Sequence, residues 1–232
     1  MGSTARVRLI LLPSPLLGPA VWEPVAGVLT DRGYDPVVPA LPEAIATPAD
    51  VVEAFVAGTP DEPCVLVPHS NAGLYVAAVA AERPAEGVAF VDARLPEGHA
   101  SVSAEPEFRA YLEGLVDADG LLPPWTRWWP EADVGVLFPD AGTRDRVEAE
   151  QRRLPMGYFD ETVPSPAGWE ALPAAYLAFG ETYARERALA RERGWPVETL
   201  AGEHLHQLVE PGEVADSVVR LLRRTGVLPM EN

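Results

Sequence analysis

Short, continuously apolar runs alternate along this chain with longer stretches in which apolar residues return every three or four positions. Val7 to Leu12 is such a run, and Val21 to Arg32 repeats Val21, Val25, Val28 and Leu29 at helical spacing before Gly33, placed to close a helix. Asp35 to Pro39 predicts a second short strand. Thr47, Pro48 and Asp50 have the order of an N-cap and first turn, opening a helix through Val56 that Gly58 ends. Pro63 to Val67 predicts a third strand, Ala72 to Glu82 the helix after it, stopped by Pro84, and Val88 to Val91 a fourth strand. The alternation returns late, with strands at Ala175 to Phe179 and Val197 to Leu200 and helices over Thr182 to Arg193 and Glu213 to Arg224. Strands apolar on both faces, each followed by a helix, are what a parallel sheet covered on both sides requires. The predicted class is α/β, a three-layer α/β/α sandwich with a mostly parallel sheet of about six strands.

Between the fourth and fifth strands the pattern breaks over 94–172. Its periodicity is helical, clearest over Glu105 to Leu115 and Thr143 to Leu154, and it carries four of the six tryptophans. Trp125, Trp128 and Trp129 form the densest aromatic cluster. An insertion at the carboxyl ends of an open parallel sheet is where lids are placed, so these rings are candidate pocket residues as well as a helical subcore. The expected organisation is a core of 1–93 and 173–232 with 94–172 as a helical cap.

Composition narrows the chemistry. The chain has 232 residues, enough for one such domain. All 18 of its Lys and Arg positions are arginine, which excludes a Schiff-base lysine and a phosphate-loop lysine. Against them stand 35 acidic residues, for a net charge of -17, and so acidic a surface repels nucleic acid and anionic membrane. Neither is expected as a partner. The one cysteine, Cys64, sits in an apolar run and reads as a small core residue in a reducing compartment. Arg6 and Arg8 ahead of Leu9 to Val21 have the look of a leader, but Pro13, Pro15 and Pro19 interrupt the stretch. It reads better as a first strand and a functional loop, with a cytoplasmic location expected. His99 has no spaced partner, so no metal site is proposed, and no dinucleotide-binding glycine turn follows any strand. No cofactor is expected.

The sharpest local signal is Val65-Leu66-Val67-Pro68-His69-Ser70-Asn71-Ala72-Gly73, a strand running into a helix through one tight turn with a serine at its apex. That is the form of a nucleophile elbow, in which the serine stands strained above the sheet. The stretch resembles the elbow of the α/β-hydrolase family, G-x-S-x-G, with Pro68 in place of the first glycine and Ala72 in place of the second. Near the C-terminus, Gly202-Glu203-His204-Leu205-His206-Gln207-Leu208-Val209-Glu210-Pro211 resembles the family's histidine loop. His204 stands seven residues before Pro211, the family's usual interval. His206 fits it less well and reads as pocket wall.

The resemblance implies a triad of Ser70, His204 and an acid. Most of the family carry the acid three residues beyond a glycine after the strand corresponding to Ala175 to Phe179; here that residue is Tyr183, which cannot serve as a carboxylate. Asp92, ending the fourth strand, is similar in placement to the acid of haloalkane dehalogenases of the same fold and is the first choice, with Glu181 the alternative. Asn71 would supply one oxyanion amide. The second would normally come from the loop Pro13-Ser14-Pro15-Leu16-Leu17-Gly18-Pro19, where Pro15 has no N–H, leaving Leu16 or the Ser14 hydroxyl. Ser14, His69, Trp125, Trp128, Trp129 and His206 complete the expected pocket. Trp22 reads as packing, and the arginines at 185, 187, 191 and 193 as a solvated, ion-paired helix.

The expected function is serine esterase or thioesterase hydrolysis of a hydrophobic small-molecule substrate by a monomer or homodimer. The alternative is a non-hydrolytic enzyme of the same fold, a lyase, cyclase or carbon-carbon bond-forming enzyme of bacterial specialised metabolism, with His204 as general base.

Overall fold

The computed structural model describes residues 7–230; Arg6, part of the leader-like pattern, lies outside them. Among the described residues the strands are β1 (Arg8–Leu12), β2 (Asp35–Val37), β3 (Cys64–Ser70), β4 (Ala85–Ala93), β5 (Ala100–Val102), β6 (Thr162–Pro164), β7 (Ala174–Phe179) and β8 (Val197–Leu200). Six form a single parallel sheet in the order β2-β1-β3-β4-β7-β8, and β5 and β6 pair antiparallel outside it. The helices are α1 (Glu23–Asp31), α2 (Pro48–Gly58), α3 (Val76–Glu82), α4 (Pro106–Glu113), α5 (Glu131–Gly135), α6 (Ala141–Glu150), α7 (Ala184–Glu192), α8 (His206–Val209) and α9 (Pro211–Arg224). None is long and apolar enough to cross a membrane.

Alternation along each strand divides the core in two. Leu9, Leu11, Val65, Val67, Ala89, Val91, Ala175 and Leu177 face one side, covered by Val25 and Leu29 of α1 and Val214, Val218, Leu221 and Leu222 of α9. Ile10, Leu12, Leu66, Val88, Phe90, Tyr176 and Ala178 face the other, against Val51 and Phe55 of α2, Val76 and Val79 of α3 and Ala190 of α7. Cys64 is fully buried, and burial pushes its thiol up to about 11. At α2 the expected start is present: the Asp50 carboxylate accepts the Thr47 N–H at 2.8 Å in a capping box.

Two strands run further than the sequence pattern predicts. β3 continues through Pro68 and His69 to Ser70, because a proline near a strand's carboxyl end removes only one ladder donor. β4 reaches Ala93, which brings Asp92 beside Ser70. The segment 94–172 holds α4, α5 and α6 but is not wholly helical. β5 and β6 were missed because each is three residues long with only its middle residue, Ser101 or Val163, buried, a pattern too short to register against helical spacing.

After β3 the chain turns through a 3₁₀ segment, Asn71–Tyr75, against the end of β4. A Cβ on Gly73 would stand 1.8 Å from the Arg94 carbonyl oxygen, so only glycine fits there. Gly73→Ala should lower unfolding free energy by about 1 to 3 kcal/mol, or prevent folding altogether. Urea denaturation checks this, and an unchanged midpoint would contradict the close approach.

Candidate active site

Among the described residues, the non-glycine residues with positive φ are Ser70 at 58° and Asp92 at 39°. They end adjacent parallel strands. Such conformations cost on the order of 1 to 3 kcal/mol each and persist only where the surroundings impose them. Here the Arg94 N–H donates to the Ser70 carbonyl at 3.0 Å, and the Asp92 carboxylate accepts the Phe179 N–H from β7, also at 3.0 Å.

His204 arrives from the loop between β8 and α8. Its Nδ1 lies 2.7 Å from Asp92 Oδ2 and its Nε2 3.0 Å from Ser70 Oγ. A carboxylate only accepts, so the proton sits on Nδ1 and the bare Nε2 accepts from the Ser70 hydroxyl. The Tyr183 hydroxyl stands 3.3 Å from the same Oγ. Burial raises the Tyr183 hydroxyl above the usual tyrosine range, so it keeps its proton. Behind His204 the fully buried His69 stacks on it at 4.7 Å, with Nε2 3.0 Å from the His204 carbonyl oxygen, to which it can only donate. Burial, followed by the neighbouring His204, lowers His69 well below the ordinary histidine range.

These groups open onto a cavity of about 430 Å³. Leu16, Phe108, Trp125, Trp129 and Phe159 form its apolar wall, and Arg94, Glu105, Arg185 and Glu186 its polar end. A larger hollow of about 640 Å³, lined by Arg32, Tyr34, Arg220 and Arg224 among others, shares no lining residue with it.

No protein-family model matches the chain, and no curated protein sequence matches it. Solved structures do. An extracellular alpha/beta-hydrolase from a Paenibacillus species superposes with a TM-score of 0.72 at 17% identity, covering 93% of this chain and 98% of that one. Tomato methylketone synthase I complexed with 2-tridecanone gives 0.73 at 15% identity, with 95% and 99% covered. Polyneuridine aldehyde esterase gives 0.69 at 18%, with 93% and 99% covered.

The chain has the α/β-hydrolase fold. Within this hydrolase fold Ser70, His204 and Asp92 meet, whereas Glu181 does not join them: its carboxylate binds Arg187 at 2.8 Å with its side chain 77% exposed. Asn71 opens the 3₁₀ turn, where a first-turn N–H has no partner within the helix, and borders the cavity. Leu16 also borders it, but its N–H donates to Ser14 Oγ at 3.3 Å, and the Ser14 hydroxyl donates to Asn71 Oδ1 at 2.7 Å.

Of the expected pocket residues, Trp125 and Trp129 line the cavity and four others do not. Ser14 is fully buried beneath Asn71. His69 lies behind His204. Trp128 packs behind the cavity wall on Phe108 and Phe159 and donates its indole N–H to the Pro123 carbonyl at 2.7 Å. His206 packs on Phe179, with its Nε2 3.3 Å from Glu213.

Sequence reasoning missed Phe108, Phe159, Arg94, Arg185 and Glu186, and weighed Tyr183 only as a missing acid. The helix taken as wholly solvated is not. Glu186 is 7% exposed, with burial raising its carboxyl, and the Arg193 guanidinium covers Trp169 and Trp195 at 5.4 and 5.1 Å. Trp22 is fully buried, donating its indole N–H to Leu12 as a packing residue. Trp128→Ala should destabilise the fold by about 3 to 5 kcal/mol, and Trp125→Ala by less than half of that. Comparable losses in chemical denaturation would mean the two rings are not divided between subcore and cavity.

Proposed function

We propose that this protein is a serine hydrolase acting on a hydrophobic, small to medium carbonyl substrate of ester or thioester type. The observation that carries the reading is the unbroken hydrogen-bonded line from Asp92 through His204 to Ser70, ending in an aromatic-walled cavity. Ser70 Oγ attacks the substrate carbonyl while Nε2 of His204 takes its proton, and Asp92 holds the tautomer and balances the imidazolium. His204 then returns the proton to the leaving group. Water repeats the sequence on the acyl-enzyme. The Asn71 N–H stabilises the oxyanion, joined by the Leu16 N–H, whose 3.3 Å bond to Ser14 is long and yields to a charged acceptor. Segment 94–172 acts as the cap, with Phe108, Trp125, Trp129 and Phe159 as its inner face.

A fluorophosphonate probe tests this. Native protein should label at Ser70, Ser70→Ala should not label, Asp92→Asn should slow labelling by about ten-thousandfold, and Glu181→Gln should leave it within about twofold. An unlabelled native protein would sink the reading.

One observation favours a non-hydrolytic reading: Pro15 has no N–H and the Leu16 N–H is already engaged, so the resting oxyanion site has a single uncommitted donor. In that case His204 is a general base on a substrate proton and Ser70 only a hydrogen-bond partner. Turnover that survives Ser70→Ala but not His204→Ala would select it.

A further inference from the structure

The hydrogen count around Ser70 assigns a direction to each bond. Ser70 has one hydroxyl proton, and it goes to the bare Nε2 of His204. The contact with Tyr183 is then a bond in which the tyrosine donates and Oγ accepts. A donor aimed at the resting nucleophile does not help attack, since it occupies a lone pair. Its use lies elsewhere in the cycle.

Topology says where. Leu16 follows β1, on one side of β3, and Tyr183 follows β7, two strands away on the other side. Tyr183 therefore stands on the side away from the loop that carries the Leu16 amide and next to the histidine, with ring centroids 5.6 Å apart. In a tetrahedral intermediate the leaving atom and Oγ are bonded to the same carbon, and the leaving atom must face Nε2 to receive its proton. A donor within reach of Oγ on the histidine side is within reach of that atom.

We infer that Tyr183 is a further catalytic residue, its hydroxyl donating to the departing alcohol oxygen, and that oxygen esters rather than thioesters are the substrate class. The inference rests on the serine hydrolase reading. In the acylation step the bond from Ser70 Oγ to the carbonyl carbon forms, and the serine proton moves to Nε2. The bond from that carbon to the leaving oxygen then breaks, and the proton passes from Nε2 to that oxygen. Tyr183 keeps its own proton throughout and supplies one hydrogen bond to the charge that builds on the leaving atom. Sulfur accepts hydrogen bonds weakly and leaves as a stable thiolate, so a thioester gains little from this donor. An activated aryl ester gains little for the second reason.

The test is Tyr183→Phe assayed on an alkyl ester, the matching alkyl thioester and a 4-nitrophenyl ester of one acyl group. The expected result is a fall of about tenfold or more in kcat/KM on the alkyl ester, with the other two within about threefold and Ser70 still labelled by fluorophosphonate. Equal losses on all three, the signature of a tyrosine that only holds Ser70 in place, would overturn the inference, as would no loss on the alkyl ester. The parent protein gives a second reading that needs no folded variant: kcat/KM for the ester should exceed that for the thioester by about tenfold, and a ratio below one overturns the assignment. Failure of the parent to label at Ser70 is a separate result, which removes the hydrolase reading itself.

Discussion

The junction between the carboxyl ends of β3 and β4 is the constraint on which the site depends. Ser70 and Asp92 hold positive φ there, a conformation neither side chain favours. What imposes it is contact between the two strand ends. The Arg94 N–H binds the Ser70 carbonyl, and the Arg94 carbonyl lies against Gly73, leaving no room for a side chain. On the far side of β4 the Tyr176 hydroxyl binds both the N–H of Ala93, at 3.1 Å, and its carbonyl, at 2.7 Å, while Phe179 binds the Asp92 carboxylate. The strain is thus spread over three adjacent strands of a parallel sheet buried on both faces.

The His204 imidazole has its carboxylate partner, Asp92, on β4. The position after β7, where the family resemblance leads one to look for a carboxylate, is free for another group, and Tyr183 fills it. Glu181 points outward to Arg187 in a solvated ion pair. The histidine's partner thus stands on β4, and a neutral hydroxyl, that of Tyr183, stands beside the serine.

Legibility followed the strength of the local constraint. The parallel sheet was readable because its central strands hold continuous apolar runs, as in Leu9–Leu12, Val65–Val67 and Val88–Val91, and α1 and α9 repeat Val and Leu at helical spacing. Ser70 was readable because a strand-turn-helix with small flanking residues has few other uses. Asp92 needed the resemblance, since an aspartate at a strand end also serves as a cap. Phe108, Phe159, Arg94 and Arg185 were not readable. They come from segments far apart in sequence that meet only at the cavity. Nor could the division of three neighbouring tryptophans be read: Trp125 and Trp129 line the cavity, and Trp128 is buried against Phe108 and Phe159 without lining it.

The surroundings of His204 show what the arrangement is suited to. Its ring contacts His69, Trp125 and Tyr183 and is bonded to Asp92 and Ser70. His69 is held neutral by burial and Tyr183 keeps its proton, so neither adds charge beside the ring. The nearest full charge to the ring is the Asp92 carboxylate, completely buried at 2.7 Å. In the proposed reaction a positive charge on the imidazole would face that carboxylate at hydrogen-bond distance, where preorganised electrostatics act most strongly. A second carboxylate at position 183 would double that negative field and leave two acids competing for one Nδ1 proton. Tyrosine there keeps the field single and adds a donor where an acceptor would have been redundant.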